Sequence, residues 1–285
     1  MGIIDQVGSE LLQAENVRPF KSSAVASQEF DLDFATLKNG GFYYGGANRR
    51  QLSLQLRAIK RRLLRRIGFL RASRERQSLG RRDRQRNVIL MTSTRSGEGK
   101  TFNAANLALS FAVEDQIETL AIDCDLIRPQ LRKAIGAPKG VGLSDLILKD
   151  DVSFQDVAWK ASQAPLSVIG PGTPVRKTTD VLGGESAQSL WTQLSRENSQ
   201  RLVILDAPPV LAATDAVVLA RFVDEIVFVV EANKTPEPAA AAAIDEILEV
   251  NPNVSIILNK CLIASGGSHY GSYEYYDAMK ERAES

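Results

Sequence analysis

The 285 residues are 44% hydrophobic, enough for one good-sized core plus extensions, and their formal net charge is +1. That balance hides an asymmetry: positions 57–86 hold 13 Lys/Arg against Glu75 and Asp83, a net +11, which leaves −10 for the remainder. A single histidine, His269, excludes a histidine-based triad or multi-histidine metal site, and two cysteines, Cys124 and Cys261, both in apolar runs, read as buried reduced thiols of an intracellular protein and not as a disulfide framework.

No signal peptide and no apolar run of bilayer-crossing length is present, so any membrane role is expected to be peripheral or to act through a partner. Positions 1–50 are polar and glycine-punctuated, with no helical or strand period, and are expected to be flexible. Positions 51–86 differ. Leu52, Leu56, Ile59, Leu63, Ile67 and Leu70 recur every three or four residues among Arg57, Lys60, Arg61, Arg62, Arg65 and Arg66, the pattern of a basic amphipathic helix. It is read either as a helix packed on the domain with a solvated cationic face, or as a contact for an anionic membrane surface or a partner subunit. The arginine-rich stretch up to Arg86 lacks an aromatic platform, so nucleic acid is not expected as a partner.

From Asn87 the pattern alternates. Asn87–Leu90 reads as a buried strand, Met91–Thr101 as a glycine turn, and Phe102–Ala112 as a helix. Strand, glycine turn and helix make the context of a phosphate-binding loop. Its glycines let backbone N–H groups face an anion, and the new helix adds roughly half an elementary charge at its N-terminus. Lys100 is placed for the β- and γ-phosphates and the Thr101 hydroxyl for Mg²⁺. Thr94 stands where the usual pattern has its first glycine. Further strands are expected at Thr119–Asp123, Leu166–Ile169, Leu202–Asp206, Ile226–Val230 and Val254–Asn259, with helices near 187–196, 214–222 and 236–250. The fold class is therefore α/β, a doubly wound, mostly parallel sheet of the P-loop NTPase kind.

Two of these strands end in aspartate, Asp123 (with Asp125 two residues on) and Asp206, and ligands of open parallel sheets sit beyond such ends. Three carboxylates and the Thr101 hydroxyl are expected to converge on Mg²⁺, which takes hard oxygen ligands and keeps several waters. A second carboxylate can accept the proton of an attacking hydroxyl. Asn259 ends the last strand, placed to read an adenine edge or to form a turn. Near the C-terminus Tyr270, Tyr273, Tyr275 and Tyr276 fall within seven residues of Gly/Ser-rich sequence, a phosphoacceptor cluster or an interaction patch.

With these pieces placed, roughly Leu52 to Tyr276 resembles the bacterial protein-tyrosine autokinases of the polysaccharide-export type, relatives of the partition and positioning ATPases. The carriers are Ser93–Thr101 with Gly97-Glu98-Gly99-Lys100-Thr101, Leu120–Pro129 with Asp123 and Asp125, Val203–Pro209 with its double proline, Gly142–Leu146, Thr214-Asp215-Ala216, and the tyrosine-rich end. The resemblance implies a kinase domain over 87–263 and an acceptor tail over 264–285. It implies ATP·Mg²⁺ bound by Ser96, Gly97, Glu98, Gly99, Lys100, Thr101 and Phe102 with Asn259 near the base, and metal ligation by Thr101, Asp123 and Asp206. Catalysis falls to Lys100, Asp123, Asp125, Asp206 and Arg128, with Asp125 as base, and the acceptors are the four tail tyrosines. It further implies phosphorylation between subunits of a ring, a separate transmembrane chain-length regulator as activator, an opposing protein-tyrosine phosphatase, and residence at the inner face of the cell membrane. Three departures stand out. Ile127 occupies the place where the family often has arginine. Leu54 stands where the helix before the loop often has glutamate, with Arg57 and Lys60 at the basic places. These 285 residues hold no apolar run of bilayer-crossing length where many relatives carry a transmembrane activator, so the activator is expected to be a separate protein. The competing functions are a positioning-type ATPase switch, with Arg95 in place of its lysine, and a non-catalytic nucleotide-binding scaffold.

Overall fold

A computed structural model describes residues 28–43, 50–69, 86–196 and 201–261. Its strands are β1 (Gln28–Phe30), β2 (Val88–Ser93), β3 (Thr119–Asp123), β4 (Ala158–Ala161), β5 (Leu166–Ile169), β6 (Leu202–Asp206), β7 (Glu225–Glu231) and β8 (Val254–Asn259). They form one sheet in the order β1-β4-β5-β3-β6-β2-β7-β8. All pairings are parallel except that of β4 with β5.

β2, β3 and β6 are buried throughout because helices cover both faces, which is why they read as continuous apolar runs. Successive side chains take opposite faces: Val88 and Leu90 enter one core, Ile89 and Met91 the other. The helices are α1 (Phe34–Asn39), α2 (Arg50–Ile67), α3 (Lys100–Val113), α4 (Leu131–Ile135), α5 (Leu143–Leu148), α6 (Phe154–Val157), α7 (Thr178–Gly183), α8 (Glu185–Arg196), α9 (Asp215–Ala220) and α10 (Glu237–Leu248). Trp191 and Leu190 of α8, Leu219 of α9 and Ile247 of α10 fill the first core; α3 and α2 fill the second.

Residues 28–43 depart from the flexible segment expected over 1–50. β1 adds a parallel strand beyond β4, and Asp33 Oδ1 accepts the Ala35 and Thr36 amides, both at 3.0 Å, to start α1. Leu37 and Tyr43 are buried in the second core, and the Tyr43 amide donates to Asn106 Oδ1 of α3 at 2.6 Å. A three-residue Gln-Glu-Phe strand is too short to show alternation, so pairing, not pattern, creates it.

The basic helix packs on the domain. Leu56, Leu63, Leu64 and Ile67 of α2 are buried against α3. Lys60 is also buried, 2.9 Å from Glu114 Oε2 and 2.7 Å from Asp115 Oδ2, and Arg57 pairs with Glu114. Arg66 reaches Glu225 at 2.6 Å. The apolar stripe is thus spent on the core, and Arg61, Arg62 and Arg65 remain exposed. Leu70 and 71–85 lie outside the described residues, as do positions 262–285 with all four tail tyrosines. Of the two thiols, Cys124 is buried as expected, but Cys261 is exposed because the chain has already left the edge strand β8. Among the described residues no helix is long and apolar enough to cross a membrane.

Candidate active site

The loop from Thr94 to Gly99 sits at the carboxyl end of β2, between β6 and β7, where the sheet order places strand ends on both sides of it. Gly97 and Gly99 take φ of 89° and 99°, the left-handed region that lets the chain double back. Thr94 is buried and is not in that region, so a Cβ is accommodated where the usual pattern has glycine. Gly99 is the N-cap of α3 and brings no side-chain acceptor to the first helical turn, leaving that end of a 14-residue helix available to an anion.

Lys100 Nζ lies 2.9 Å from Asp125 Oδ2, 3.6 Å from Asp206 Oδ1 and 3.3 Å from Thr101 Oγ1. The Thr101 hydroxyl donates to Asp206 Oδ2 at 2.6 Å. Asp123 turns partly away: its Oδ2 accepts the Leu131 amide at 2.9 Å and the Arg132 amide at 3.4 Å, at the start of α4. Asp125 Oδ1 accepts the Arg128 amide at 2.9 Å. Ends of β2, β3 and β6 therefore bring Lys100, Thr101, Asp125 and Asp206 together, with Asp123 beside them. The turn after Asp206 is held to β2 by the Ala207 amide on Met91 O at 2.9 Å and the Thr92 hydroxyl on Pro208 O at 2.8 Å.

The electrostatics follow from burial. Asp123 and Asp206 are fully buried, and each leaves its Oδ1 without a hydrogen-bond donor. Burial first, and the Asp206 charge second, push Asp123 up to about 8. Burial likewise pushes Asp206 up to about 6, against the pull of Lys100. Burial works against the Lys100 ammonium, but Asp206 and Asp125 outweigh it and hold its pKa above the ordinary value. Two under-supplied carboxylate oxygens beside a hydroxyl are the hard donors that Mg²⁺ takes. Among the described residues no three acidic, histidine or cysteine groups form a metal cage by themselves. Asp123 is drawn off by α4 and Asp125 by Lys100. One or two carboxylates completed by phosphate and water is the usual protein share of a Mg²⁺ site.

The remaining predicted residues surround this centre. Ser96 and Gly97 are exposed on the loop. The Glu98 carboxylate points into the loop's own support, accepting the Arg95 amide at 2.9 Å and the Thr235 hydroxyl at 2.6 Å. Phe102 packs on Phe42, ring centroids 5.2 Å apart. Asn259 Nδ2 donates to Glu98 O at 2.8 Å, so this side chain braces the loop from β8. Arg128 and Ile127 are exposed.

Sequence reasoning missed two supports. Lys260 Nζ donates to Gly97 O at 2.7 Å while pairing with Glu231 at 3.1 Å, and Thr235 holds Glu98. Both lie just past strand ends that the parallel-sheet rule places beside the loop, which is the signal that points to them.

No family model matches the chain. It is 30% identical over 194 residues to the tyrosine-protein kinase YwqD of Bacillus subtilis, covering 68% of this chain and 79% of that protein. It is 27% identical over 186 residues to the putative tyrosine-protein kinase CapB of Staphylococcus aureus, covering 65% and 80%. Among solved structures, the VpsO kinase domain matches with a TM-score of 0.57 and 26% identity over 72% of this chain and 98% of that one. A Lys-Thr-Asp centre at the ends of β2, β3 and β6, on a chain that similar to YwqD along most of its length, places this protein in the family of bacterial tyrosine-protein kinases.

Proposed function

We propose that the chain transfers the γ-phosphoryl group of ATP to tyrosines of its own C-terminal cluster, Tyr270, Tyr273, Tyr275 and Tyr276, from one subunit to the next. The observation that carries this reading is the pairing of Lys100 with Asp125 beside Thr101 and Asp206. Asp125 is the base and Lys100 the phosphate ligand, and each occupies the other in this structure. Polyphosphate arriving at the loop competes for Lys100, and Asp125 is released to face the acceptor. Asp125 then takes the tyrosine hydroxyl proton, the phenolic oxygen bonds to the γ-phosphorus, and the bond from that phosphorus to the bridging oxygen breaks, so that ADP leaves. Thr101 and Asp206, with Asp123 behind them, would hold Mg²⁺, which neutralises charge on the phosphates. In this reading Ser96 to Phe102 cradle the phosphates, and Asn259, whose Nδ2 braces Glu98 O, is the residue assigned to contact the base.

Regulation of exopolysaccharide synthesis or export, a ring assembly, a separate transmembrane chain-length regulator as activator, an opposing protein-tyrosine phosphatase and residence at the inner face of the membrane complete the proposal. They rest on the family resemblance. Mass spectrometry of the purified chain after incubation with ATP·Mg²⁺ tests it, beside Lys100→Met and a version lacking residues 270–276. Phosphate on the named tyrosines, absent from folded Lys100→Met, is the expected result. ATP turnover without phosphotyrosine, even with the activator's cytoplasmic segment added, would transfer the assignment to a positioning-type ATPase.

A further inference from the structure

A cleft of about 400 Å³ opens between α4, the loop that follows it and the carboxyl end of β5. Its lining holds two cations, Arg132 and Lys139, one aromatic, Trp159, and no acid; the rest is mostly proline and glycine. Arg132 is fixed in place. Its Nη1 donates to Ala137 O at 2.7 Å, and its stem crosses Gly170, where a Cβ would come within 2.8 Å of Arg132 Cδ. The indole N–H of Trp159 faces Gly140, whose Cβ position lies 3.6 Å away. A wall of prolines and glycines has little side-chain freedom to lose, so the cleft is formed in advance of any ligand.

Two cations without a counter-charge in the lining select an anion, and an indole in the same wall selects a flat apolar body attached to it. We propose that this cleft binds a phosphotyrosine side chain, the phosphate on Arg132 and Lys139 and the ring along Trp159. The choice of ligand rests on the tyrosine-kinase reading, because that reaction makes the ligand at the next strand end. Four tyrosines within seven residues put a second hydroxyl close behind the one that is held. A partly phosphorylated tail is then retained where an unmodified one is not.

The test uses the full chain without nucleotide and a fluorescein-labelled peptide of positions 270–277, phosphorylated at Tyr273. The unphosphorylated peptide and inorganic phosphate serve as competitors. The phosphopeptide is expected to bind at least ten times more tightly than either competitor. Lys139→Glu and Arg132→Gln should each weaken it tenfold or more. Trp159→Phe should weaken it by less, and saturating ADP should leave it bound. Lys139 is exposed, so its variant keeps the test valid if Arg132→Gln fails to fold. Unchanged affinity in folded Lys139→Glu, displacement by ADP, or equal binding of inorganic phosphate would each overturn the proposal. Absence of autophosphorylation with phosphopeptide binding intact would count against the kinase reading and leave the cleft standing.

Discussion

At Gly99 the backbone sits at φ 99°, and a Cβ built there would lie 2.1 Å from Asn259 Nδ2. Gly99→Ala therefore pays for a left-handed alanine, about 1–2 kcal/mol, and also pushes Asn259 off Glu98 O. Asn259→Ala removes the same brace without touching φ. The two substitutions should be non-additive in nucleotide affinity, with the double variant close to Gly99→Ala alone; calorimetric titration with ATP reads this directly, and strict additivity would show that Asn259 does not hold the loop. At this scale Lys100, Thr101, Asp125 and Asp206 were legible, because loop and strand-end motifs are local in sequence. Thr235 and Lys260 were not read from the sequence, since they meet Glu98 and Gly97 across 137 and 163 residues and carry no local pattern.

Among the elements, α5 shows how one carboxylate ties a helix to a distant loop. Asp145 Oδ2 accepts the Gly142 amide and the Thr173 amide, both at 3.0 Å, Oδ1 accepts the Thr173 hydroxyl at 2.6 Å, and Lys149 pairs at 2.7 Å. Burial opposes the charge, but these partners outweigh it and hold the carboxyl at about 2 against an ordinary 3.8. Because the folded value is the lower one, this stabilisation is complete above about pH 4 and disappears as pH falls through 2. Asp145→Asn should lose about 2 kcal/mol at neutral pH and remove the corresponding slope between pH 4 and pH 2, measured by urea unfolding. From Asn87 onward β2, β3, β5, β6, β7 and β8 were readable as apolar runs, written by both-face burial in all but the edge strand β8, and α3, α8, α9 and α10 because their apolar residues recur at helical spacing; α4, α5, α6 and α7, of four to six residues each, are too short to show that spacing. β1 and β4 were not readable: β1 is a three-residue edge strand, and β4, Ala-Trp-Lys-Ala, carries no continuous apolar run. The amphipathic period revealed α2 but not which surface its stripe meets, since the same stripe serves a core or a membrane.

For the molecule as a whole, charge is the property that folding leaves exposed. With the apolar stripe of α2 buried, Arg61, Arg62 and Arg65 form a solvent-facing cationic row. Changing all three to glutamate should leave thermal unfolding within a few degrees of the parent. It should also cut binding to vesicles containing phosphatidylserine, at about 1 kcal/mol per cation near the surface. Vesicle binding that is salt-insensitive and unchanged in the triple variant would assign the row to solvent alone.

The strand order also sets a timetable. β2, which carries the phosphate loop, lies between β6 and β7, so Val88 waits for Val203 and Ile89 for Glu225. At about 5–20 residues per second on the ribosome, the segment that will grip nucleotide spends on the order of ten seconds without either lateral neighbour. A nascent chain halted before β7 emerges holds the complete loop sequence but only one of the two strands that flank it, so nucleotide capture comes late in the life of each newly made molecule.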